Sequence, residues 1–88
     1  MSLKELEKYL KDKPEILIFG TNLNLKNLKL ANISELFIAN DCPTLIREKV
    51  LNYSKLSNLK LEELKKSKVE LSILCEKNFP VSIIGVIN

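Results

Sequence analysis

With 88 residues, a net charge of +3, and 45% hydrophobic against 28% charged side chains, the chain has the makeup of one small globular domain rather than of a disordered segment. A chain of that length buries about 60 to 65% of the surface its unfolded form exposes. No apolar run approaches the roughly 18 to 20 residues a membrane span needs, and the N-terminus is an alternating charged segment rather than a signal peptide, so a cytosolic protein with no membrane partner is expected. Two Cys and no His leave neither a four-ligand zinc set nor a Cys–His pair. No metal, cofactor or catalytic residue is therefore expected, and Cys42 and Cys75 are read as reduced thiols. Of the 14 cations only Arg47 is an arginine; such a Lys-rich surface suits an anionic partner and serves plain solubility equally well.

In chain order, Ser2 and Glu5 have capping-box spacing, and Leu3, Leu6, Tyr9 and Leu10 recur on one face; this predicts a helix that Pro14 closes after Lys13. Glu15 to Phe19 reads as a strand from its β-branched and aromatic bias, ended by Gly20. Thr21 or Asn22 can cap a second helix carrying Leu23, Leu25, Leu28 and Leu30, with Asn32 taking the left-handed position after it. Leu36 to Ala39 is long enough for a strand buried on both faces and too short for a helix.

The stretch Asn40-Asp41-Cys42-Pro43 then breaks that strand, and Pro43 presets the first turn of the longest helical pattern, Pro43 to Leu56. Its spacing points Leu45, Ile46, Val50, Tyr53 and Leu56 at a core, with Arg47, Glu48, Lys49 and Lys55 toward water. Leu59 to Leu64 alternates with charges as a short edge strand does. Ser67 and Glu70 repeat the capping-box spacing before a fourth helix with Val69, Leu71, Ile73, Leu74 and Lys77. Asn78, Phe79 and Pro80 form a loop before a last strand, Val81 to Ile87. Strands alternating with helices predict an α/β fold, a three-layer α/β/α sandwich around a mixed or largely parallel four-stranded sheet.

If the strands ending at Phe19 and Ala39 are parallel, right-handed crossovers set their exits side by side, so that Gly20 to Asn22 and Asn40 to Cys42 are neighbours. Each leads into a helix N-terminus, where free N–H groups and the helix dipole suit a phosphate. The Asn78 to Pro80 loop joins them only if the last strand is antiparallel. Helix starts for phosphates, amides for base edges and the Phe79 ring for stacking compose a site for unpaired RNA bases. The same residues read as helix caps at Asn22 and Asn40, a turn at Gly20 and a cover over the core edge at Phe79.

Asn-Asp-Cys-Pro, the Asn52-Tyr53 helix, Val69-Glu70-Leu71 and Cys75-Glu76-Lys77-Asn78-Phe79-Pro80-Val81 stand in the order and spacing of one family. From about Gly20 to Ile87 the chain resembles the large-subunit ribosomal proteins called L thirty-e in archaea and eukaryotes, relatives of the L seven Ae proteins that bind kink-turn RNA. The resemblance implies that Gly20 and Lys26 match the glycine and lysine of the first RNA-contacting loop and helix. Thr21 lies between the matched glycine and Asn22, which matches the superfamily's asparagine. Asn40 falls on the asparagine of the Asn-x-Cys-Pro turn, and Phe79, followed by Pro80, on the aromatic position of the last RNA-facing loop. Leu23 departs from the family's Glu or Gln, and Ser72 and Glu76 replace glycines of the fourth helix.

The function implied is that of a structural, non-enzymatic protein of the ribosome in the cytoplasm. It would recognise a kink-turn-like internal loop in rRNA, have neighbouring ribosomal proteins as further partners, take no small-molecule substrate and be monomeric when free. The alternatives are a kink-turn protein of a guide-RNA or RNase P particle, and a domain of the same fold that binds protein instead.

Overall fold

The computed structural model describes residues 2–87, and the Ser2 side chain, half of the expected first capping box, lies outside the described residues. Helices and strands alternate: α1 (Ser2–Asp12), β1 (Leu17–Phe19), α2 (Thr21–Lys29), β2 (Ile33–Ile38), α3 (Thr44–Ser57), β3 (Lys60–Glu63), α4 (Lys68–Leu74) and β4 (Ile83–Ile87). Each expected element is present, with its ends shifted by local backbone demands. A 3-10 turn over Pro14–Ile16, seeded by the fixed φ of Pro14, shortens β1 to Leu17–Phe19. None of the described helices is long and apolar enough to cross a membrane.

The sheet order is β1-β4-β2-β3, with β4 antiparallel to both neighbours and β2 parallel to β3. β1 and β2 are therefore parallel to each other, as expected, but they are not adjacent. β4 lies between them, so the exits of β1 and β2 flank its entry instead of touching. This is the one correction to the expected arrangement of the loops. It follows from pairing across more than 60 residues, Leu17 with Val86, which no local pattern encodes.

Alternation of side chains along the strands feeds two cores. Leu17 of β1, Phe37 of β2 and Ile84 and Val86 of β4 pack with Leu6 of α1 and Leu71 and Cys75 of the α4 segment. On the opposite face, Ile18, Leu36, Ile38 and Ile83 pack with Leu28 of α2 and with Cys42 and Val50 of the α3 segment. A register shift in β2 between Ile33 and Glu35 changes the parity of the strand. Ile33 and Leu36 thus face the same core although they are an odd number of residues apart.

Several expected side-chain roles are revised. In α3, Val50 is buried and Ile46 and Tyr53 pack against the second core, but Leu45 is 73% and Leu56 85% exposed. At about 100° per residue, Leu45 and Leu56 share a flank of α3 roughly 90° or more from the stripe of Ile46, Val50 and Tyr53 that meets the sheet, so the buried stripe is narrower than the apolar pattern. On α4, Leu71 is buried whereas Val69 and Ile73 are exposed. Helix α4 ends at Leu74, short of Lys77, with Glu76 in a left-handed conformation. After α2, Ala31 rather than Asn32 takes the positive φ.

Candidate nucleic-acid interface

The site is built on the end of the sheet where β1, β2 and β3 finish and β4 begins. Phe19 is paired with Ile84 and Ile38 with Ile83, and the Ala39 N–H donates to the Ser82 carbonyl at 2.9 Å. Adjacent strands lie about 4.8 Å apart, so the loops after β1 and β2 are separated by roughly 10 Å with the segment entering β4 between them. The antiparallel course of β4 thus puts Asn78 to Pro80 at the same end as Gly20 to Asn22 and Asn40 to Cys42.

At the first loop, Gly20 is the N-cap of α2, with φ 99° and no side-chain cap. Thr21 and Asn22 are inside the helix, so neither is the expected cap. A Cβ on Gly20 would meet nothing within 4 Å, so the positive φ, not crowding, calls for glycine. The turn is held from below by Asn24, fully buried, whose Nδ2 donates to the Ile18 carbonyl at 3.0 Å and to the Gly20 carbonyl at 2.8 Å. Asn24 escaped sequence reading because an asparagine inside an Asn- and Leu-rich helix looks like a solvated one. Asn22 and Lys26 are exposed, and Leu23 is 52% exposed on the first turn.

At the second loop, the exposed Asn40 donates from Nδ2 to the Lys65 carbonyl at 3.3 Å, and its backbone N–H donates to the Lys66 carbonyl at 2.9 Å. Asp41 caps α4 from outside that helix: its Oδ1 accepts the Lys68 N–H at 2.7 Å. There it supplements the capping box of Ser67 and Glu70, formed as expected. Pro43 occupies the N-cap position of α3. At the third loop Phe79 is 41% exposed and Pro80 is exposed. Gly20, Thr21, Asn22, Asn40, Phe79 and Pro80 thus share one end of the molecule, with Lys26 on α2 about one and a half turns from its start.

The loop after β3 adds cations that sequence reading did not place here. Lys65, Lys66 and Lys68 belong to the segment bonded to Asn40 and Asp41. Lys77 places its Nζ 4.4 Å from the centre of the Phe19 ring at the end of β1, a cation–π geometry that orders the side chain while leaving its charge available. The run Lys65-Lys66-x-Lys68 was visible, but only the parallel pairing of β3 with β2 brings it beside Asn40. Glu76 instead lines a surface cavity with Lys11 and Pro14 on the α1 side.

Both thiols are buried. Burial pushes Cys75 up to about 11 and raises Cys42 as well, so both remain protonated at neutral pH and act as small packing groups. One acidic group of the described residues, Glu5, Glu35 and Glu62, has the spacing of cation ligands. The Lys60 ammonium already sits among them, 3.2 Å from Glu5, 3.6 Å from Glu35 and 3.5 Å from Glu62.

The molecule is a mixed α/β/α sandwich in which three loops and several lysines share one end of the sheet. The solved structures most useful for comparison share that fold. A Giardia lamblia protein described as a 15.5kD RNA binding protein matches with a TM-score of 0.80 at 21% identity, over 99% of this chain and 73% of that one. A Bacillus halodurans protein described as of unknown function matches at 0.74 and 14% identity, over 86% and 75%. No family model matches the chain.

Among curated proteins, the large ribosomal subunit protein eL30 of Saccharolobus solfataricus is 32% identical over 71 residues, 81% of this chain and 66% of that protein. The eL30 of Sulfurisphaera tokodaii is 32% identical over 71 residues, covering 67% of its length, and that of Methanosphaera stadtmanae 33% over 67 residues, covering 68%. The chain belongs to the eL30 family of large ribosomal subunit proteins, the family called L thirty-e above. It spans about two thirds of the length of these relatives. That family is a structural component of the ribosome, not an enzyme.

Proposed function

We propose that this chain is an RNA-binding component of the large ribosomal subunit in the cytoplasm, docking through its loop end onto a kink-turn-like internal loop of rRNA. The observation that carries this reading is the position of β4. Its antiparallel entry brings the Phe79 loop to the sheet end that also carries the glycine turn opening α2 and an Asn40 turn braced by a lysine-bearing loop. In this reading Phe79 stacks on an extruded base, Asn22 and Asn40 meet base edges, and Lys26 with the α2 N-terminus meets phosphates. Leu23, in the first turn of α2, presents an apolar surface where the family resemblance implies Glu or Gln, and so offers no polar contact to a base there. The protein performs no chemistry; it holds a sharply bent RNA in place for its neighbours.

Gel-shift titration tests this directly, using a kink-turn RNA and a plain duplex of equal length. Tighter binding to the kink-turn is expected, and equal affinity for the two would sink the proposal.

A further inference from the structure

Away from the loop end, α2 and α3 leave a groove of ≈ 350 Å³ between them, lined by Leu25 and Lys29 of α2 and by Lys49, Asn52, Tyr53 and Leu56 of α3. Leu25 and Tyr53 pack on the second core and form an apolar floor, while Leu56 stands 85% exposed at the rim. Both formal charges lining the groove are positive, on opposite walls, and no carboxylate lines it. Lys29 follows Lys26 by one turn on the same side of α2. Ammonium groups therefore continue from the neighbourhood of the loop end into the groove. Its volume is at the lower end of the roughly 300–1,000 Å³ typical of ligand pockets, room for one nucleotide unit rather than a helix.

We infer that this groove is a second RNA contact, holding one unpaired nucleotide of a strand that runs on from the loop-end site. The inference rests on the RNA-binding reading above. Lys29 and Lys49 neutralise flanking phosphates, the Tyr53 and Leu56 surfaces receive the base, and the exposed Asn52 amide reaches its edge, the mix of cations, ring and amide that single-stranded RNA uses. An acidic protein segment is the competing occupant. RNA fits better because it supplies a negative charge at every step along its length, matching cations that continue along α2 and across to α3.

The test compares a kink-turn RNA with and without a single-stranded oligouridine tail, bound to the wild-type chain and to the double variant Lys29→Gln, Lys49→Gln. Both lysines are exposed, so the variant folds. The tail is expected to tighten wild-type binding several-fold and to steepen the salt dependence by about 1.4, two phosphates at roughly 0.7 each. The double variant keeps wild-type affinity for the tail-free RNA and loses that gain. A tail that adds nothing while the tail-free kink-turn still binds overturns the groove and leaves the loop-end reading standing, as does a gain that survives in the variant.

A second measurement does not depend on the kink-turn. A uridine trinucleotide added to the ¹⁵N-labelled full chain should shift the Asn52 side-chain amide and the backbone amides of Leu25 and Tyr53 in the wild type, and not in the double variant. No shift, or a shift caused by a polyglutamate peptide but not by the trinucleotide, overturns the inference.

Discussion

Asn24 and Gly85 meet where α2 lies on the sheet, and they fit only because residue 85 has no side chain: a Cβ there would stand 2.2 Å from Asn24 Oδ1 and 2.8 Å from Ile33 Cδ1. The Ile33 methyl is the end of a flexible chain, but Asn24 is held by its two donated bonds to Ile18 and Gly20. Gly85→Ala must therefore break those bonds or lift α2, and a loss of about 1 to 3 kcal/mol is expected by denaturant melting. The two sites should be strongly non-additive. In the Gly85→Ala background, Asn24→Ala should cost much less than it does alone; equal costs would show that the two side chains do not compete for space.

Phe79 gives the sharpest test of the proposed interface. Since its ring is partly exposed in a loop, Phe79→Ala should leave the melting transition nearly unchanged. It should weaken kink-turn binding by about 1 to 3 kcal/mol, the scale of one base–aromatic stack. The slope of log affinity against log salt should stay as it was, because a stack involves no counterion. Unaltered affinity would return Phe79 to covering the core edge.

The lysines should behave in the opposite way. Lys26→Ala and Lys65→Ala are each expected to flatten the salt dependence by nearly one unit, the mark of one phosphate contact. Lys8→Ala, exposed on α1, serves as the control and should leave the slope alone. If all three variants give the wild-type slope, Lys26 and Lys65 belong to the solvated surface.

A pH effect is built into the contact between α1 and the sheet. Glu35 is buried on β2; its Oε1 accepts the Tyr9 hydroxyl at 3.2 Å, and Glu5, Lys60 and Glu62 complete its surroundings. Burial, and then the neighbouring Glu5, hold the Glu35 carboxyl above the ordinary glutamate value of 4.5. Hydrogen bonds from Lys60 and Glu35 hold Glu5 below it. The folded chain therefore keeps the Glu35 proton more tightly than the unfolded one. The stability this confers is complete at low pH and is lost as pH rises through the raised value. Glu5 works in the other direction, stabilising above 4.5 and losing its contribution as pH falls. Glu35→Gln removes the first effect, while Lys60, the larger cause of the Glu5 shift, stays in place. The unfolding free energy of the wild type minus that of the variant should fall as pH rises above the ordinary glutamate value of 4.5, and a difference that stays flat would contradict the assignment.

Much of the fold was legible locally. Pro14, Gly20 and Asn40-Asp41 break the chain where its elements change, the β-branched runs are strands, and the Ser67–Glu70 box forms as spaced. The candidate site was only partly legible. Gly20, Asn40 and Phe79 stood out because each is unusual for its place: a glycine after a strand, an amide before a proline turn, an aromatic in a loop. Lys65, Lys66 and Lys77 did not, because a lysine near a surface loop looks the same wherever that loop goes.

What the sequence determined by itself was the type and order of the elements and, through its motifs, the family, since propensity, capping and periodicity act over a few residues. Which loops share an end, and which apolar faces find cover, was decided only in the tertiary structure. The insertion of β4 between β1 and β2 brings the Asn78 to Pro80 loop to the sheet end that carries Gly20 and Asn40, and the parallel pairing of β3 brings Lys65 to Asn40. The narrow stripe of α3 that meets the sheet leaves Leu45 and Leu56 uncovered on its flank. These outcomes come from pairing between segments far apart in the chain. Their free energy depends on the whole assembly of strands, so no short stretch of residues carries it.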